Sequence, residues 1–210
     1  MMADCFILRK ENSKTPQNTY VDGIVNEYND FANNEWVKIE QNTNTSFTFG
    51  ENNTIEVCFK YTSLGSEGKA RVFETKDTSA NLRLIAHINS TNDFSFSLNK
   101  ETWYEPPPYG TSGHTIPSYT TESNTLYTIS FVNNTTQTDI YINGLLFTSI
   151  NEIIPTETKI DKLLLKGSFT ISERYMQGRI YSIRMYNRAL TKDEITHNQM
   201  VDIERYGNEV

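Results

Sequence analysis

The sequence predicts an all-β sandwich that carries one short C-terminal helix. Asn, Thr and Ser together make up about 30% of the 210 residues, and Thr favours strands whereas Asn and Ser favour turns. Segments that alternate apolar and polar residues follow one another along most of the chain, and helical periodicity is confined to the segment from Leu190 to about Arg205. Many strands followed by a single terminal helix are typical of a sandwich with an appended helix.

The clearest strand is Thr54–Tyr61, in which the odd-numbered residues from 55 onward are apolar and fall on one face. The opposite face carries Glu56, Cys58 and Lys60, so the pattern predicts one face in a core and one face nearer to water. Similar strand patterns occur in Trp36–Gln41, Ser46–Phe49, Arg71–Thr75, Asn81–Asn89, Phe94–Leu98, Leu126–Val132, Thr138–Ile142, Leu145–Ser149, Lys162–Leu165 and Arg179–Tyr186.

Residues 140–147 predict a β-hairpin. Asn143-Gly144 supplies the two positive-φ positions that a type I′ turn requires. The residues that flank the turn are apolar on both faces. We therefore expect this hairpin to be well buried.

The C-terminal helix is predicted at about residues 191–205. Thr191 can cap its N-terminus, and Glu194 stands three residues later and completes a capping box. Gly207 follows as a stop signal. The helix has a narrow apolar stripe, which consists of Ile195, Met200 or Val201, and Ile203.

The segment DIYINGLLF, followed after about thirty residues by MQGRIYSIRMYNRALTKDEI, resembles the laminin-G-like members of the concanavalin A-like lectin family, of the type found in phage structural and bacterial surface proteins. In that family a Tyr-x-Asn-Gly hairpin precedes a terminal strand and a capped helix. The matching residues are Tyr141, Asn143, Gly144, Gly178, Ile180, Ile183, Arg184, Tyr186, Asn187, Arg188, Ala189, Leu190, Thr191, Glu194 and Ile195.

This resemblance extends over roughly residues 34–207 and is strongest over the last seventy or so. It implies a two-sheet antiparallel jelly roll. In the family this fold most often binds glycans or protein surfaces without catalysis. Some members hold calcium at a rim of the sandwich, and a minority are glycoside hydrolases.

Composition and charge exclude several kinds of partner. The formal net charge is −7, the pI is about 5.0 and no basic block occurs, so a nucleic-acid partner is not expected. No apolar run approaches the roughly 18 residues of a membrane span. The apolar run Cys5–Leu8 is too short for a signal peptide. Cys5 and Cys58 are expected to be reduced thiols rather than a disulfide framework.

The sequence predicts no enzyme. Sandwich glycosidases need paired carboxylates across a cleft, whereas Glu56 is the only acid within its strand, and helix capping explains Asp193 and Glu194. No Gly-x-Ser-x-Gly elbow or P-loop occurs. The histidines are scattered along the chain, at His87, His114 and His197.

Residues Thr102–Tyr119 contain four prolines and two glycines among several aromatic residues and do not have a strand pattern. Proline stiffens a loop and lowers the entropy lost on binding, and aromatic rings stack on the apolar faces of sugars. The candidate ligand-binding residues are Trp103, Tyr104, Tyr109, His114 and Tyr119. The alternative is that this segment covers one end of the sandwich or forms a subunit contact.

No cofactor is predicted. Calcium binding stays possible, because loop aspartates lie near the ends of predicted strands, but no dense acidic loop identifies ligands for it. These aspartates are Asp77, Asp93, Asp139 and Asp161.

We interpret residues 1–20 as an N-terminal strand or arm and residues 21–210 as the sandwich. The combined pattern predicts a non-catalytic protein of a phage virion surface that recognises glycans or the host cell surface. Such a protein is made in the host cytoplasm and needs no export signal. The alternatives are a structural virion component that contacts neighbouring virion proteins, and an extracellular or cell-surface carbohydrate-binding module of a secreted bacterial enzyme. Sheet edges would also permit a homo-oligomer.

Overall fold

The computed structural model describes residues 5–9, 17–19, 29–31, 37–40, 47–49, 52–77, 79, 81–99, 102–106, 114–153, 158–168 and 174–207. For the strands before residue 50 only the backbone is described. The elements in this part of the chain are β1 (Cys5–Arg9), β2 (Gln17–Thr19), β3 (Asn29–Phe31), β4 (Val37–Glu40), β5 (Phe47–Phe49), β6 (Asn53–Leu64), β7 (Ala70–Asp77), β8 (Leu82–Ile88), β9 (Phe94–Leu98), β10 (Thr102–Glu105), β11 (His114–Thr115), β12 (Leu126–Asn133), β13 (Thr138–Ile142), β14 (Leu145–Ile150), β15 (Thr158–Leu165), β16 (Met176–Tyr186) and α1 (Lys192–Tyr206).

The strands form two sheets that face each other, which confirms the predicted two-sheet sandwich. Sheet A has the strand order β14-β13-β12-β6-β16-β1-β2, with β3 also paired to β16. Sheet B has the order β11-β10-β9-β8-β7-β15-β4, with β5 also paired to β15. The described pairs are antiparallel except β10 with β11, which is parallel. Helix α1 packs on the outer face of sheet A, next to β12.

The predicted core face of β6 is confirmed, because its apolar residues from Ile55 to Tyr61 lie in the core between the sheets. The expectation of a wetter opposite face is wrong for Glu56 and Cys58, which are 0% exposed because helix α1 covers them. Phe131 of β12 connects the two layers. Its ring meets Phe73 and Phe96 of sheet B edge to face, with centroids 5.9 and 5.6 Å apart. Such edge-to-face pairs stabilise a core beyond the area they bury.

The prediction that residues 102–119 contain no strand is wrong in two places. Thr102–Glu105 pairs with β9, and His114–Thr115 pairs with Thr102–Glu105. The three prolines that follow Glu105 obscure the strand pattern of residues 102–119. The Thr, Trp and Tyr before them nonetheless favour a strand. The short strands β1, β2 and β3 also lack a clear pattern, and they form by pairing with neighbours in sheet A.

The Asn143-Gly144 turn has the predicted conformation, with φ of +50° and +75°. The backbone N–H of Asn143 donates to the Thr128 carbonyl, and the Asn143 side-chain oxygen accepts from the Thr128 N–H. The expectation of a well-buried hairpin is wrong for β14, where Leu145 is 70% and Leu146 is 53% exposed. The physical reason is that β14 is the last strand of sheet A, so its outer side has no neighbouring strand in the described residues.

Helix α1 begins with the predicted capping box of Thr191 and Glu194. Its predicted apolar stripe is only partly buried, because Met200 and Ile203 are at least half exposed. The buried face instead consists of Ile195, Asp202 and Tyr206. The surface of sheet A beneath the helix is mixed: Tyr181 stacks on Tyr206 with the ring centroids 4.8 Å apart, and Arg184 donates to the carboxylate of Asp202. In the described residues no helix has the length and apolar character of a membrane span.

Several motif residues join this helix to sheet A. Tyr141 packs with Leu190 in a small apolar cluster beneath the helix start. The backbone N–H of Leu190 donates to the Thr54 hydroxyl at 3.0 Å. The hydroxyl of Tyr186 accepts from the Asn198 amide at 3.2 Å. The motif residues therefore connect the last strand β16, the β13–β14 hairpin and helix α1.

Replacing Thr191 by Ala should lower the free energy of unfolding by about 1 kcal/mol. The Thr191 hydroxyl accepts from the Glu194 N–H, and the Glu194 carboxylate accepts from the Thr191 N–H. Urea unfolding measures the loss, and Thr191→Ser, which keeps the hydroxyl, is the matched control. Equal stability of the Ala variant and the wild type would contradict the capping role.

The same cap should weaken in acid. Hydrogen bonds from Arg188 lower the pKa of Glu194 to about 2, from an ordinary value of 4.5. A lowered folded-state pKa gives stability that is present above the ordinary value and is lost as the pH falls through the folded value. The cost of Glu194→Gln should therefore shrink between about pH 5 and pH 2. Urea unfolding of both proteins across that range is the measurement, and a cost that does not change with pH would contradict it.

Candidate functional site

A stack of three aromatic rings leads from the core to the edge of sheet B. Phe96, Tyr104 and His114 lie on the adjacent strands β9, β10 and β11. The Phe96 and Tyr104 centroids are 4.8 Å apart with 11° between the ring planes. The Tyr104 and His114 centroids are 5.2 Å apart with 19° between the planes. Tyr104 is buried and His114 is exposed. One face of the His114 ring is therefore supported by Tyr104, and the residue as a whole is exposed.

Hydrogen bonds fix the middle ring of the stack. The Tyr104 hydroxyl donates to Glu152 Oε2 at 2.6 Å, and the Asn99 amide donates to Glu152 Oε1 at 3.0 Å. Burial raises the pKa of Tyr104, and the neighbouring Glu152 carboxylate adds to the increase, so the hydroxyl stays protonated and donates. Thr138 of sheet A donates to the Glu152 carbonyl at 2.7 Å. Glu152 therefore ties the ring stack to both sheets.

The segment after β11 is held against the sandwich. The N–H of Ile116 donates to the Glu105 carbonyl at 3.2 Å, and the carbonyl of Tyr119 accepts from the Phe94 N–H at 2.9 Å. The Tyr119 ring is half-buried and meets Phe147 edge to face at 5.8 Å. The side chains that remain exposed here are His114, Thr115, Pro117, Ser118 and Thr120. A rigid ring with hydroxyl groups nearby can contact both the apolar face and the hydroxyls of a sugar.

The structure thus divides the predicted binding residues into different environments. His114 is exposed, Tyr119 is half-buried, and Tyr104 is only 4% exposed and supports His114 from below. Trp103 pairs with Ser97 through its backbone, but its side chain lies outside the described residues. Tyr109 also lies outside them.

A buried polar row, which the sequence patterns did not reveal, crosses the outer face of sheet B. Arg71, His87 and Ser95 occupy paired positions on β7, β8 and β9. Arg71 Nη1 lies 3.2 Å from His87 Nδ1, and His87 Nε2 lies 2.8 Å from Ser95 Oγ. Strand alternation places these residues on the face of sheet B that points away from the core. The pairing of a serine with a histidine across two neighbouring strands is the sequence feature that could have indicated this row.

The hydrogen bonds of this row determine the tautomer of His87. A guanidinium only donates, so His87 Nδ1 accepts and the ring proton sits on Nε2. The Nε2 proton is then donated to Ser95 Oγ. Burial lowers the pKa of His87 well below its ordinary value, and the charge of Arg71 lowers it further. His87 therefore cannot remove the proton of Ser95, as a serine nucleophile would require.

A second polar cluster lies beneath helix α1. The Arg184 guanidinium donates to both carboxylate oxygens of Asp202 and lies 3.5 Å from Glu56. Burial disfavours the charged form of Arg184, but the Asp202 carboxylate outweighs this effect and raises the pKa of Arg184. Burial raises the pKa of Glu56. Both carboxylates are 0% exposed, so a substrate cannot reach them in the folded protein.

Two of the four aspartates that were considered for calcium, Asp77 and Asp93, accept hydrogen bonds from nearby residues. Asp77 accepts from the N–H groups of Ser79 and Asn81 at 2.9 and 2.8 Å. Asp93 accepts from the hydroxyls of Thr91 and Thr120 at 2.7 and 2.6 Å. In the part of the chain that the structure describes, no group of three or more His, Cys, Asp and Glu residues could hold a metal ion. The side chain of Asp161 lies outside that part.

Comparison with protein families gives one match, to the model described as the concanavalin A-like lectin/glucanases superfamily, over residues 31–196. The comparison with curated proteins gave no match. The family match covers the core strands, the ring stack and the first part of α1. It does not include the strands β1 and β2.

Solved structures with a similar fold include the binding domain of botulinum neurotoxin serotype G, with 14% identity, a TM-score of 0.55, and coverage of 83% of this chain and 42% of that chain. A structure concerning botulinum neurotoxin type C, whose cell entry is described as dependent upon interaction with two ganglioside molecules, has 16% identity, a TM-score of 0.56, and coverage of 79% and 39%. Trypanosoma rangeli sialidase has 13% identity, a TM-score of 0.56, and coverage of 72% and 23%. This chain thus spans about a quarter of the sialidase chain and about two fifths of the two neurotoxin chains. At these identities the similarity shows the fold alone.

Proposed function

The chain belongs to the concanavalin A-like lectin/glucanases superfamily, and we propose that it is a non-catalytic binding module that recognises glycans at the edge of sheet B. The observation that carries this proposal is the ring stack that ends in His114. A ring that stacks on Tyr104, which itself stacks on Phe96, presents a flat surface without a large loss of side-chain entropy on binding. Sugar rings have apolar faces of matching size.

The comparisons support a glycan ligand. One similar structure concerns a neurotoxin that interacts with gangliosides, and another is a neurotoxin binding domain in complex with rat synaptotagmin II, at 14% identity and a TM-score of 0.55. The superfamily fold thus occurs in proteins that interact with glycolipids and in proteins that bind other proteins. Because a fold does not determine a ligand, the choice of a glycan rests on the exposed ring and the hydroxyl side chains around it.

Two arrangements support the absence of catalysis. The tautomer of His87 prevents it from activating Ser95. The carboxylates of Glu56 and Asp202 are buried beneath α1 and share Arg184 as a counter-ion, whereas most glycosidases need two carboxylates across an accessible cleft. The sialidase similarity extends over 23% of that chain at 13% identity, and a shared fold does not by itself imply a shared active site.

His114→Ala should weaken glycan binding about tenfold, because the loss of one stacking ring costs roughly 1–1.5 kcal/mol. An array of glycans that includes bacterial surface polysaccharides identifies the ligand, and titration with that ligand gives the Kd. The array is repeated with a chelator, because loss of binding would reveal a calcium ion whose ligands lie outside the described residues. The exposed His197 on α1 provides the matched control, and His197→Ala should bind as the wild type does.

His114→Trp separates stacking from hydrogen bonding. A larger ring at the same position should retain or strengthen binding if stacking dominates. Unchanged glycan binding by His114→Ala would show that the binding site lies elsewhere than at the ring stack. If the folded wild-type protein binds no glycan on the array, the structural virion role becomes the better proposal.

We place the module on the surface of a phage virion, made in the host cytoplasm. The free thiol of Cys58 supports this location, because it fits folding in a reducing compartment. The alternative of a module within a larger secreted enzyme is supported by the partial coverage of the sialidase chain. The neighbouring genes distinguish the virion protein from the enzyme module. Capsid and tail genes would support the virion, and a hydrolase domain in the same reading frame would support the enzyme module.

A further inference from the structure

Residues 101–158 contain no lysine or arginine. An even distribution of the 19 basic residues of the chain would place about five of them in this stretch, whereas its acidic residues occur at about their average frequency. The stretch supplies the strands β10 to β14 and the segment that follows β14. Its acidic residues are Glu101, Glu105, Glu122, Asp139, Glu152 and Glu157.

This stretch forms one side of the sandwich, although its strands belong to both sheets. β10 and β11 end sheet B, and β13 and β14 end sheet A. Two contacts join these edges: the Tyr104 hydroxyl donates to Glu152, which follows β14, and the Tyr119 ring meets Phe147 of β14 edge to face. The ring stack that ends in His114 therefore lies within the part of the chain that has no basic residues.

The carboxylate of Glu152 lies next to the ring stack without a basic partner in the part of the chain that the structure describes. It accepts from the Tyr104 hydroxyl at 2.6 Å and from the Asn99 amide at 3.0 Å, and both donors are uncharged. Glu152 is half-buried. Its negative charge is therefore not neutralised by an ion pair and acts on whatever binds at the stack.

A second carboxylate belongs to the strand that carries Tyr104. Glu105 is half-buried and pairs through its backbone with Thr115, the residue that follows His114. Arg71 of β7 lies three strands away in sheet B. It is 3% exposed, and its Nε lies 3.2 Å from Glu74 Oε1. The charge of Arg71 is thus directed to Glu74 rather than to a ligand at the stack.

These charges oppose an anionic ligand. A carboxylate or phosphate that reaches the stack loses its hydration, and residues 101–158 offer it no basic side chain in return. Like charges that meet across an interface oppose binding, and the net charge of −7 adds to the repulsion. An uncharged sugar avoids both costs, because its hydroxyls can pair with the exposed hydroxyls of Thr115, Ser118 and Thr120.

We infer that the ring stack selects uncharged sugars and excludes sugars that carry a carboxylate or a phosphate. This inference rests on the proposed glycan-binding function and adds the chemical class of the ligand. Recognition of a carboxylate or phosphate commonly uses an arginine, whose planar fork matches the geometry of both groups. The stack instead offers an aromatic face and neutral hydroxyls, which are suited to the apolar face and the hydroxyls of a neutral sugar.

Titration with paired oligosaccharides tests the inference. Each pair consists of a neutral oligosaccharide and the same oligosaccharide with a sialic acid, a uronic acid or a phosphate attached. The neutral member should bind roughly tenfold more tightly at low salt, and the difference should shrink at high salt because salt screens the charges. An anionic member that binds as tightly as its neutral counterpart would overturn the inference and leave glycan binding intact. Binding of no oligosaccharide would overturn the proposed function and this inference with it.

Glutamine variants locate the source of the selectivity. Glu105→Gln and Glu152→Gln should each lower the ratio of the anionic to the neutral Kd about twofold. A looser ring stack would weaken both members of a pair equally, so the ratio reports charge rather than structure. Glu204→Gln is the control, because Glu204 is exposed on α1 and its replacement changes the net charge by the same amount. An equal fall of the ratio in Glu204→Gln would overturn the assignment to the carboxylates at the stack.

Discussion

Asp202→Ala should destabilise the protein by roughly 3–5 kcal/mol, because it leaves the buried guanidinium of Arg184 without its main counter-charge. Arg184 is 8% exposed and Asp202 is 0% exposed. The carboxylate also accepts from the hydroxyls of Thr128 and Ser182 at 3.1 and 3.3 Å. These donors would lose their partner beneath the helix. Urea unfolding gives the free energy of unfolding directly.

Glu204→Ala is the matched control, since Glu204 is an exposed acid on the same helix. Its effect should stay within about 0.5 kcal/mol. Replacing the pair together, as Arg184→Met with Asp202→Leu, should recover only part of the stability, because the desolvation of both charges is avoided but the buried Glu56 loses Arg184 as its counter-ion. A loss below about 1 kcal/mol for Asp202→Ala would show that water or Glu56 compensates Arg184.

The polar cluster of Arg184, Asp202 and Glu56 also shows which contacts sequence patterns cannot predict. The alternation in β6 places Glu56 opposite the core, and the expected environment for that face was a wetter one. The structure instead covers it with α1. The apolar pattern of the helix points to Met200 and Ile203, whereas its buried face contains Asp202. Periodicity in one element cannot reveal that polar side chains of two elements bury each other through a shared ion pair.

Local signals were more successful where the chemistry is local. The capping box depends on residues three positions apart, and the hairpin turn depends on two adjacent residues with positive φ. Both are present in the structure. The burial of the hairpin was not predicted correctly, because burial depends on which strand ends the sheet, and strand order is a property of the whole fold.

The candidate binding site could be predicted from the sequence only in part. The aromatic content of residues 102–119 indicated a surface of interest, and His114 is exposed there. The stacking of Tyr104 between Phe96 and His114 could not be predicted, because it depends on β10 and β11 pairing on either side of the proline run. Trp103 and Tyr109 remain predictions.

Gly178→Ala should be among the most destabilising single substitutions in the chain, at roughly 3–5 kcal/mol. Gly178 lies in β16, at a register shift opposite Tyr61 of β6, and its φ is +136°. A Cβ at this position would lie 2.1 Å from the carbonyl oxygen of Lys60 and 2.6 Å from the Cα of Tyr61. Both are backbone atoms of the central strand of sheet A, so neither can rotate away.

Gly68→Ala separates the clash from the backbone conformation. Gly68 also has a positive φ, of +67°, but a Cβ there meets only the Ser90 side chain, at an ordinary 3.6 Å. That variant should lose only about 1–2 kcal/mol through the left-handed conformation. If Gly178→Ala costs no more than Gly68→Ala in urea unfolding, the close approach of β16 to β6 is not what requires glycine. A clearly larger cost would show that this glycine sets the contact between the last strand and the central strand, which positions Arg184 beneath the helix.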